Sequence, residues 1–257
     1  MRVYFLGTCA GTEPMPGRKH ASVVVECQDR LYWLDAGEGC SYTAHMLGLD
    51  LLKVADIVIS HPHMDHVGGL GNLLWNIRKL RYMRDRLPVC NSTNVYIPSQ
   101  ESWDGLMMFL SNTESGFKTD YPINMTLLRE GVLVDDGIVK ITAFPNTHLD
   151  KMQLPECISY SFLIEGDGKR LVYSGDVGKY EDLDPVIGKG CDAMTIETGH
   201  FGIDDAYAYW SKHKIGKLYF THNGREILNN TLAAEKKIRE LFGEQAVICM
   251  DGMCINV

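Results

Sequence analysis

The chain has 257 residues, of which 45% are hydrophobic and 23% charged, and its formal net charge at pH 7 is −8. This length suffices for one large domain or two small ones, and the composition is typical of a globular protein. The acidic balance excludes a protein that coats nucleic acid through general charge attraction, although it leaves room for a local basic groove. No apolar run approaches the ~20 residues that span a bilayer, so no membrane partner is expected.

The N-terminal residues and the cysteines indicate the cellular compartment. The chain starts with an apolar run that is too short for a signal peptide and lacks a cleavage pattern. The eight cysteines are scattered and include no CxxC pair, which is typical of reduced thiols. We therefore expect a cytoplasmic protein.

Hydrophobic periodicity and Gly/Pro turn signals predict alternating strands and helices in the first half of the chain. They predict strands over Arg2–Leu6, Ala21–Cys27 and Leu31–Asp35, a helix over Cys40–Leu47, a strand over Val54–Ile59, a helix over Val67–Tyr82, a strand over Asn94–Pro98 and a helix over Glu101–Leu110. Ser111–Pro122 is polar and irregular, and it is either a mobile lid or a simple connection. The basic cluster Arg78–Arg86 either contacts a substrate phosphate or forms a solvated helix face.

From Met125 the pattern changes to consecutive strands, and beyond Asp176 it changes to alternating helices and strands. The predicted strands are Met125–Leu128, Val132–Val134, Ile138–Phe144, Cys157–Ile164, Arg170–Tyr173, Ala193–Ile196, Leu218–Phe220, Ala246–Met250 and Cys254–Val257, and the helices lie within Lys179–Ile187 and over Asp204–His213 and Thr231–Phe242. No linker, repeat or low-complexity stretch separates the two β-rich halves. The simplest organisation is one domain over residues 1–257, with sheets inside and helices outside.

Ser60–Gly69, with the sequence Ser-His-Pro-His-Met-Asp-His-Val-Gly-Gly, carries the strongest chemical signal. Between a buried strand and a helix it holds four candidate ligands, His61, His63, Asp65 and His66. Imidazole nitrogen and carboxylate oxygen suit zinc and similar metals. Alternation along extended backbone is expected to point His61, His63 and Asp65 the same way. Because a catalytic zinc usually takes three protein ligands and keeps one position open, four ligands indicate two metals.

Three later polar residues share one setting, because each ends an apolar strand: His148, Asp176 and His222. Loops at strand ends are where a rigid scaffold presents functional groups. Together with the ligand turn, these residues complete a candidate metal site.

The segment His61-Pro-His-Met-Asp-His66 resembles the HxHxDH signature of the metallo-β-lactamase superfamily, and the three later residues fall where that family places its remaining ligands. Three further segments resemble the branch of this superfamily that contains ribonuclease Z and phosphodiesterases. They are Asp35-Ala-Gly-Glu-Gly, Gly7-Thr8 with Pro16 and Arg18, and Asp251-Gly252-Met253. The resemblance covers nearly the whole chain. It implies an α/β (α+β) fold, namely a four-layer αββα sandwich with two mixed β-sheets inside, helices outside and the site at the edge of the sheets.

The resemblance also implies how the ligands divide. One metal would be held by His61, His63 and His148, the second by Asp65, His66 and His222, and Asp176 would bridge them. Zinc is the expected metal, with manganese and iron as alternatives because the same ligands serve all three. Ribonuclease Z-like enzymes carry a glutamate and a histidine before the last ligand, and Glu197 and His200 match them, His200 lying 22 residues before His222. His200 is the candidate general acid, oriented by Glu197, and the alternative is a surface histidine in a loop.

The expected function is a dinuclear metal-dependent hydrolase acting on a small-molecule or nucleotide phosphodiester. A metal-bridging hydroxide oriented by Asp65 would attack phosphorus in line. His200 would protonate the leaving alkoxide, a step worth typically about 10²–10⁴-fold. Arg18 is a further candidate for contact with the substrate phosphate. A homodimer, which is common in the resembling branch, is also expected.

Three alternatives remain open. The same site could hydrolyse a lactone, thioester, sulfate ester or β-lactam, although the missing signal peptide argues against a periplasmic β-lactamase. It could process tRNA 3′ ends, but only 27 residues separate His148 from Asp176, whereas ribonuclease Z has a long arm there that grips tRNA. His222-Asn-Gly-Arg-Glu also departs from that family's Ser/Arg/Tyr-containing motif. The last alternative is a non-enzymatic metal-binding or sensor module.

Overall fold

Two seven-stranded β-sheets form the centre of the structure, a computed structural model that describes residues 1–149 and 159–257. In spatial order, the first sheet contains Cys254–Asn256 (β14), Arg2–Gly7 (β1), Ser22–Cys27 (β2), Arg30–Leu34 (β3), Val54–Val58 (β4), Thr93–Ile97 (β5) and Ile123–Leu127 (β6). The second contains Ala246–Ile248 (β13), Ile215–Thr221 (β12), Cys191–Glu197 (β11), Lys169–Tyr173 (β10), Tyr160–Gly166 (β9), Val139–Pro145 (β8) and Gly131–Asp135 (β7). Each sheet has antiparallel pairs at one side and parallel pairs at the other, so both are mixed as expected.

Helices cover the outer faces of both sheets. The first half of the chain supplies Cys40–Met46 (α1), Met64–Val67 (α2), Leu70–Arg84 (α3) and Gln100–Ser111 (α4). The second half supplies Asp184–Ile187 (α5), Ile203–Trp210 (α6), Arg225–Leu228 (α7) and Thr231–Phe242 (α8). Within residues 1–149 and 159–257, no helix combines the length and the apolar character that a membrane crossing requires.

Three hydrophobic clusters show how the layers pack. Val3 and Phe5 of β1 join Phe162 of β9 in the cluster between the two sheets. Their neighbours Tyr4 and Leu6 lie in the cluster that packs the first sheet against α1, α3 and α4. Because successive side chains of a strand point to opposite faces, β1 is buried on both sides. A third cluster packs the second sheet against α6 and α8, which completes the expected αββα sandwich.

The backbone around the ligand turn differs from the prediction. Extended backbone ends at His63, with φ −65° and ψ 147°, and Asp65 lies on the helical turn α2. The expectation that Asp65 continues one extended alternation is therefore wrong. The long helix begins at Leu70 rather than Val67, since Val67 ends the short helix α2 and Gly69 is the N-cap of the long one. A Cβ on Gly69 would lie 2.2 Å from the carbonyl oxygen of Gly37. The backbone at Gly69 therefore lies too close to the loop after β3 for a side chain to fit.

Ser111–Pro122 packs against α3. Phe117 and Tyr121 are buried there, and Nε of Arg78 donates to the carbonyl oxygen of Lys118 at 2.7 Å. These contacts are those of a packed connection, the second of the two interpretations of this segment. The predicted strand over Cys157–Ile164 is described from Tyr160 onward, and its first residues lie outside the described ranges.

Arginines of the basic cluster Arg78–Arg86 form ion pairs with nearby carboxylates. Arg81 pairs with Asp120 at 2.8 Å, and Arg84 pairs with Asp50 at 2.8 Å. Arg86 also donates to Asp50. Since these guanidinium groups already have acidic partners, their surroundings do not support contact with a substrate phosphate.

Candidate metal centre

Seven side chains converge where several strands end at one edge of the sandwich. They come from the loop after β4 (His61, His63), from α2 (Asp65, His66) and from the loops after β8 (His148), β10 (Asp176) and β12 (His222). The strands β10 and β12 run parallel in one sheet, so their carboxyl ends present side chains at the same edge. The fold therefore brings together all seven residues that the sequence predicted as metal ligands.

The seven candidate ligands form two groups around Asp176, and a third, overlapping group joins Asp176 and His222 to Glu197 and His200. Of the first two, one contains His61, His63 and His148, the other contains Asp65, His66 and His222, and within each group, Asp176 included, the atoms lie within 4.8 Å of one another. Oδ2 of Asp176 is 3.7 Å from Nε2 of His61 and 3.7 Å from Nε2 of His148. Its Oδ1 is 3.2 Å from Nε2 of His66 and 3.2 Å from Nδ1 of His222. One carboxylate oxygen thus faces each group, as a bridging ligand requires.

The buried atoms of these groups fit metal ions. Within the described residues, four of them lack a hydrogen-bond partner: Nε2 of His61, Nε2 of His66, Nδ1 of His222 and Oδ1 of Asp176. A tetrahedral zinc with bonds of about 2.0–2.1 Å places neighbouring ligand atoms roughly 3.3–3.4 Å apart, close to the separations around Asp176. Because buried polar groups are nearly always paired, this clustering of unpaired atoms indicates sites for cations.

The pKa values of the ligands reflect burial opposed by charge. Burial lowers the pKa of His61 and of His148, which keeps both in the neutral form that binds metals. For Asp65, burial would raise the pKa, but the hydrogen bond from His222 and the charge of the nearby His66 ring together hold it well below its ordinary value. Burial alone would lower the pKa of His222, but Asp176 raises it to about 10. A metal that binds on this side therefore displaces a proton.

Asp35 supports the histidine ligands from behind. It accepts hydrogen bonds from the backbone nitrogen of Ser60 at 2.6 Å, from Oγ of Ser60 at 2.7 Å and from the hydroxyl of Tyr173 at 2.7 Å. Nδ1 of His66 lies 2.7 Å from its Oδ2 atom. Because Oγ of Ser60 donates to Asp35, it can accept from Nδ1 of His61, 3.0 Å away. Both rings thus have Nδ1 engaged, which leaves Nε2 for a metal.

Sequence reasoning placed Asp35 in a family motif but gave it no role. The available signal was its position at the end of the buried strand β3. Its backbone also has a positive φ of 56°, which turns the chain at this point. Nothing in the sequence shows that this carboxylate meets His66 and Tyr173.

His200 lies at the border of the cluster and is held by Glu197. The His200 side chain is 43% exposed and that of Glu197 is fully buried. Nδ1 of His200 lies 2.9 Å from Oε2 and 3.0 Å from Oε1 of Glu197, and 3.9 Å from Oδ2 of Asp176. The hydrogen bond to Glu197 raises the pKa of His200. This contact occupies Nδ1 and leaves Nε2 as the nitrogen that can meet a substrate.

Arg18 does not extend freely toward a substrate. Its Nη1 atom donates to Oγ1 of Thr8 at 2.6 Å and to the carbonyl oxygen of Cys249 at 2.6 Å. It therefore ties the first loop to the end of β13. Gly11 of the same loop lies against Asp65, since a Cβ there would be 2.9 Å from Oδ2 of that carboxylate.

Sequence comparisons agree with this geometry. The family model described as "Anti-Pycsar protein Apyc1" matches residues 1–195. Ribonuclease BN of Cronobacter sakazakii is 33% identical over 153 residues, and ribonuclease BN of Escherichia coli O157:H7 is 30% identical over 154 residues. Each match covers 58% of this chain and 46% of the relative, so the chain spans about half the length of the curated relatives it matches.

Solved structures share the whole fold. The short form of human tRNase Z superposes with a TM-score of 0.73 at 21% identity, covering 100% of this chain and 99% of that one. The metallo-β-lactamase fold protein YhfI from Bacillus subtilis superposes with a TM-score of 0.72 at 16% identity, covering 99% and 98%. Yeast PDE1 gives 0.67 at 13% identity, covering 100% and 99%. The expected metallo-β-lactamase fold is confirmed, and the expected resemblance to its ribonuclease Z-like branch agrees with the similarity to ribonuclease BN.

Proposed function

This chain belongs to the anti-Pycsar protein Apyc1 family, and on that premise we propose that its metal centre hydrolyses phosphodiesters with two metal ions. The observation that carries the proposal is the position of Asp176, whose two oxygens face separate ligand groups. Phosphodiesters are favoured as substrates because the curated relatives are named ribonucleases. Zinc is the proposed metal, with manganese and iron as alternatives that the same ligand types also serve.

The ligand groups define which residues would hold each ion. His61, His63 and His148 would hold one, Asp65, His66 and His222 the other, and Asp176 would be shared. When bound, two such metals activate water and neutralise charge that develops on the phosphoryl oxygens. Asp65 is partly open to solvent, at 13% exposure, and would accept a hydrogen bond from the attacking water.

His200 would complete the reaction as the general acid. Glu197 fixes Nδ1 of the ring, so Nε2 would carry the proton to the leaving alkoxide. The raised pKa of His200 keeps the ring protonated over a wider range than a free histidine. The pair thus supplies a proton beside the metal groups without itself being among their assigned ligands.

Hydrolysis of a chromogenic phosphodiester, bis(4-nitrophenyl) phosphate, tests this function. Metal-stripped protein is titrated separately with zinc, manganese and iron. Activity that returns at two equivalents of metal supports the proposal and identifies the working ion. Asp192→Asn, a change at the opposite end of β11, should follow the wild-type curve. Two bound metals with turnover of a lactone or thioester, but not of any phosphodiester, would contradict the substrate class.

RNA is the second candidate substrate. It is favoured by the names of the curated relatives and of human tRNase Z. The short connection of 27 residues between His148 and Asp176 is the adverse feature. Specific cleavage of a precursor tRNA at its 3′ end, abolished by Asp176→Ala, would favour this candidate over a small phosphodiester.

We propose that the chain forms a homodimer. An apolar surface supports this: Met64 is 75% exposed and Phe109 is 69% exposed. Phe109 and Trp75 line a groove of about 430 Å³ between α3 and α4. Light scattering should give twice the chain mass for the wild type and the single mass for Phe109→Glu.

The single-domain organisation and the cytoplasmic location stay predictions.

A further inference from the structure

Asp182 joins the loop that carries His148 to the loop that carries Asp176. The side chain is 9% exposed and lies in a short 3₁₀ turn over Tyr180–Leu183. Its Oδ2 atom accepts four hydrogen bonds, from the backbone nitrogen (3.0 Å) and Oγ1 (2.8 Å) of Thr147 and from the backbone nitrogens of Gly178 (3.2 Å) and Lys179 (3.3 Å). Thr147 directly precedes His148, and Gly178 follows Asp176 by two residues. One buried oxygen therefore fixes two ligand loops that are distant in sequence.

The two loops also touch directly at Gly178. A Cβ there would lie 2.3 Å from Oγ1 of Thr147 and 2.6 Å from its carbonyl oxygen. Real Cβ atoms do not approach other atoms so closely, so only glycine permits this contact. The loops are thus in direct contact and are also joined by Asp182, which defines their separation.

The hydrogen bonds to Asp182 hold the first metal group more directly than the second. His148 belongs to the first group and is adjacent to Thr147, whose backbone and hydroxyl both donate to Asp182. The ligands of the second group come instead from α2 and from the loop after β12. Asp176 is shared, but the residue after it is anchored elsewhere, since the Val177 nitrogen donates to Glu197 at 2.9 Å. Loss of the Asp182 bonds would therefore displace His148 more than the ligands of the second group.

We propose that Asp182 is a positioning residue that sets the distance between His148 and Asp176 and so selectively strengthens the first of the two metal sites. This inference rests on the two ligand groups of the proposed function. Removal of this side chain is disruptive because all four donors share its Oδ2 atom as their acceptor, whereas an asparagine could still place its Oδ1 atom there. Residues that orient metal ligands typically change metal affinity by about 10–100-fold when removed.

The test uses the full chain with Asp182→Ala, which removes the shared acceptor, and measures zinc affinity by competition with a chromophoric chelator. The wild type should bind two ions, and the variant should keep one at the wild-type affinity while the other weakens about 10–100-fold. Thr147→Val removes one of the four bonds and should weaken the same ion by less. The matched control is Asp184→Ala, which removes an exposed carboxylate bonded to the hydroxyl of Tyr209 and should keep both ions.

A combination with His63→Ala assigns the weakened site. His63→Ala removes a ligand of the first group, so adding Asp182→Ala should not weaken the remaining ion further. This selectivity separates positioning from a general loss of stability, which would lower both affinities. Equal weakening of both ions, or no weakening of either, would overturn the inference while the wild type still binds two. A wild-type chain that binds fewer than two ions would instead remove the proposed function.

Discussion

Glu197 holds the ring of His200 from the buried side, with both carboxylate oxygens within 3.0 Å of Nδ1. The same carboxylate accepts hydrogen bonds from the backbone nitrogens of His200, at 3.0 Å, and of Val177, at 2.9 Å. Glu197 thus connects the loop of the proposed general acid to the loop of Asp176. The ring is placed beside the metal groups with one nitrogen free.

The role of His200 predicts a dependence on the leaving group. His200→Ala should lower kcat by about 10²–10⁴-fold on a phosphodiester with an alkyl alcohol as leaving group, because that alkoxide needs a proton. The loss should be far smaller on a 4-nitrophenyl ester, whose leaving group is stable without one. Both rates are measured after metal content has been shown to be unchanged. Equal losses on the two substrates would exclude proton transfer by His200.

The contacts of Asp35 predict that replacing this residue, which is not itself a proposed ligand, lowers metal affinity. Asp35→Ala would leave donors of Ser60, His66 and Tyr173 without their acceptor, and it should weaken zinc binding by about 10–100-fold. Tyr173→Phe removes only one of these donors and should have a smaller effect. Chelator competition measures both variants. Unchanged zinc affinity in Asp35→Ala would show that His66 does not depend on this support.

The buried carboxyl group of Asp56 should make the stability of the protein depend on pH, independently of the metal site. It lies on β4, is 5% exposed and accepts a bond from Nδ2 of Asn94 at 3.2 Å. Burial raises its pKa to about 6, above the unfolded value of about 3.9. The folded state therefore keeps this proton between about pH 4 and 6 while the unfolded state releases it, so stability falls as pH rises through that window.

Asp56→Asn should remove this loss. A shift of about two pKa units corresponds to about 3 kcal/mol at most, and the advantage of the variant in the free energy of unfolding should grow from pH 4 to 6 and level off above pH 7. Urea unfolding of both proteins at each pH measures the difference, in which the titration of the other groups cancels. A difference that is constant with pH would show that Asp56 ionises normally in the folded state.

The candidate ligands could be identified from the sequence because their pattern is local. His61, His63 and His66 lie within one turn of the chain, and a buried β-branched strand precedes them. His148 and Asp176 could be predicted because each follows an apolar strand, where loops present functional groups. The types of the elements follow from hydrophobic periodicity, whereas the two mixed sheets were implied by the family resemblance.

The supporting contacts could not be predicted, because they depend on which loops meet in space. Asp35 reaches Tyr173 across 138 positions, and Asp182 reaches Thr147 across 35. No local pattern encodes such pairs. The position of Asp65 was missed for another reason, since α2 is a single helical turn of four residues, too short for periodicity to reveal.

The most direct test of the two-metal account is the metal content of Asp176→Ala, measured by mass spectrometry after the purified protein is equilibrated with zinc and dialysed. Asp176 provides one oxygen to each ligand group, so both ions should bind more weakly, zinc should fall well below two ions per chain, and turnover of a phosphodiester should be lost. The wild type treated in parallel should retain two ions and full activity. An Asp176→Ala protein that keeps two zinc ions and the wild-type rate would contradict the bridging role and with it the central claim.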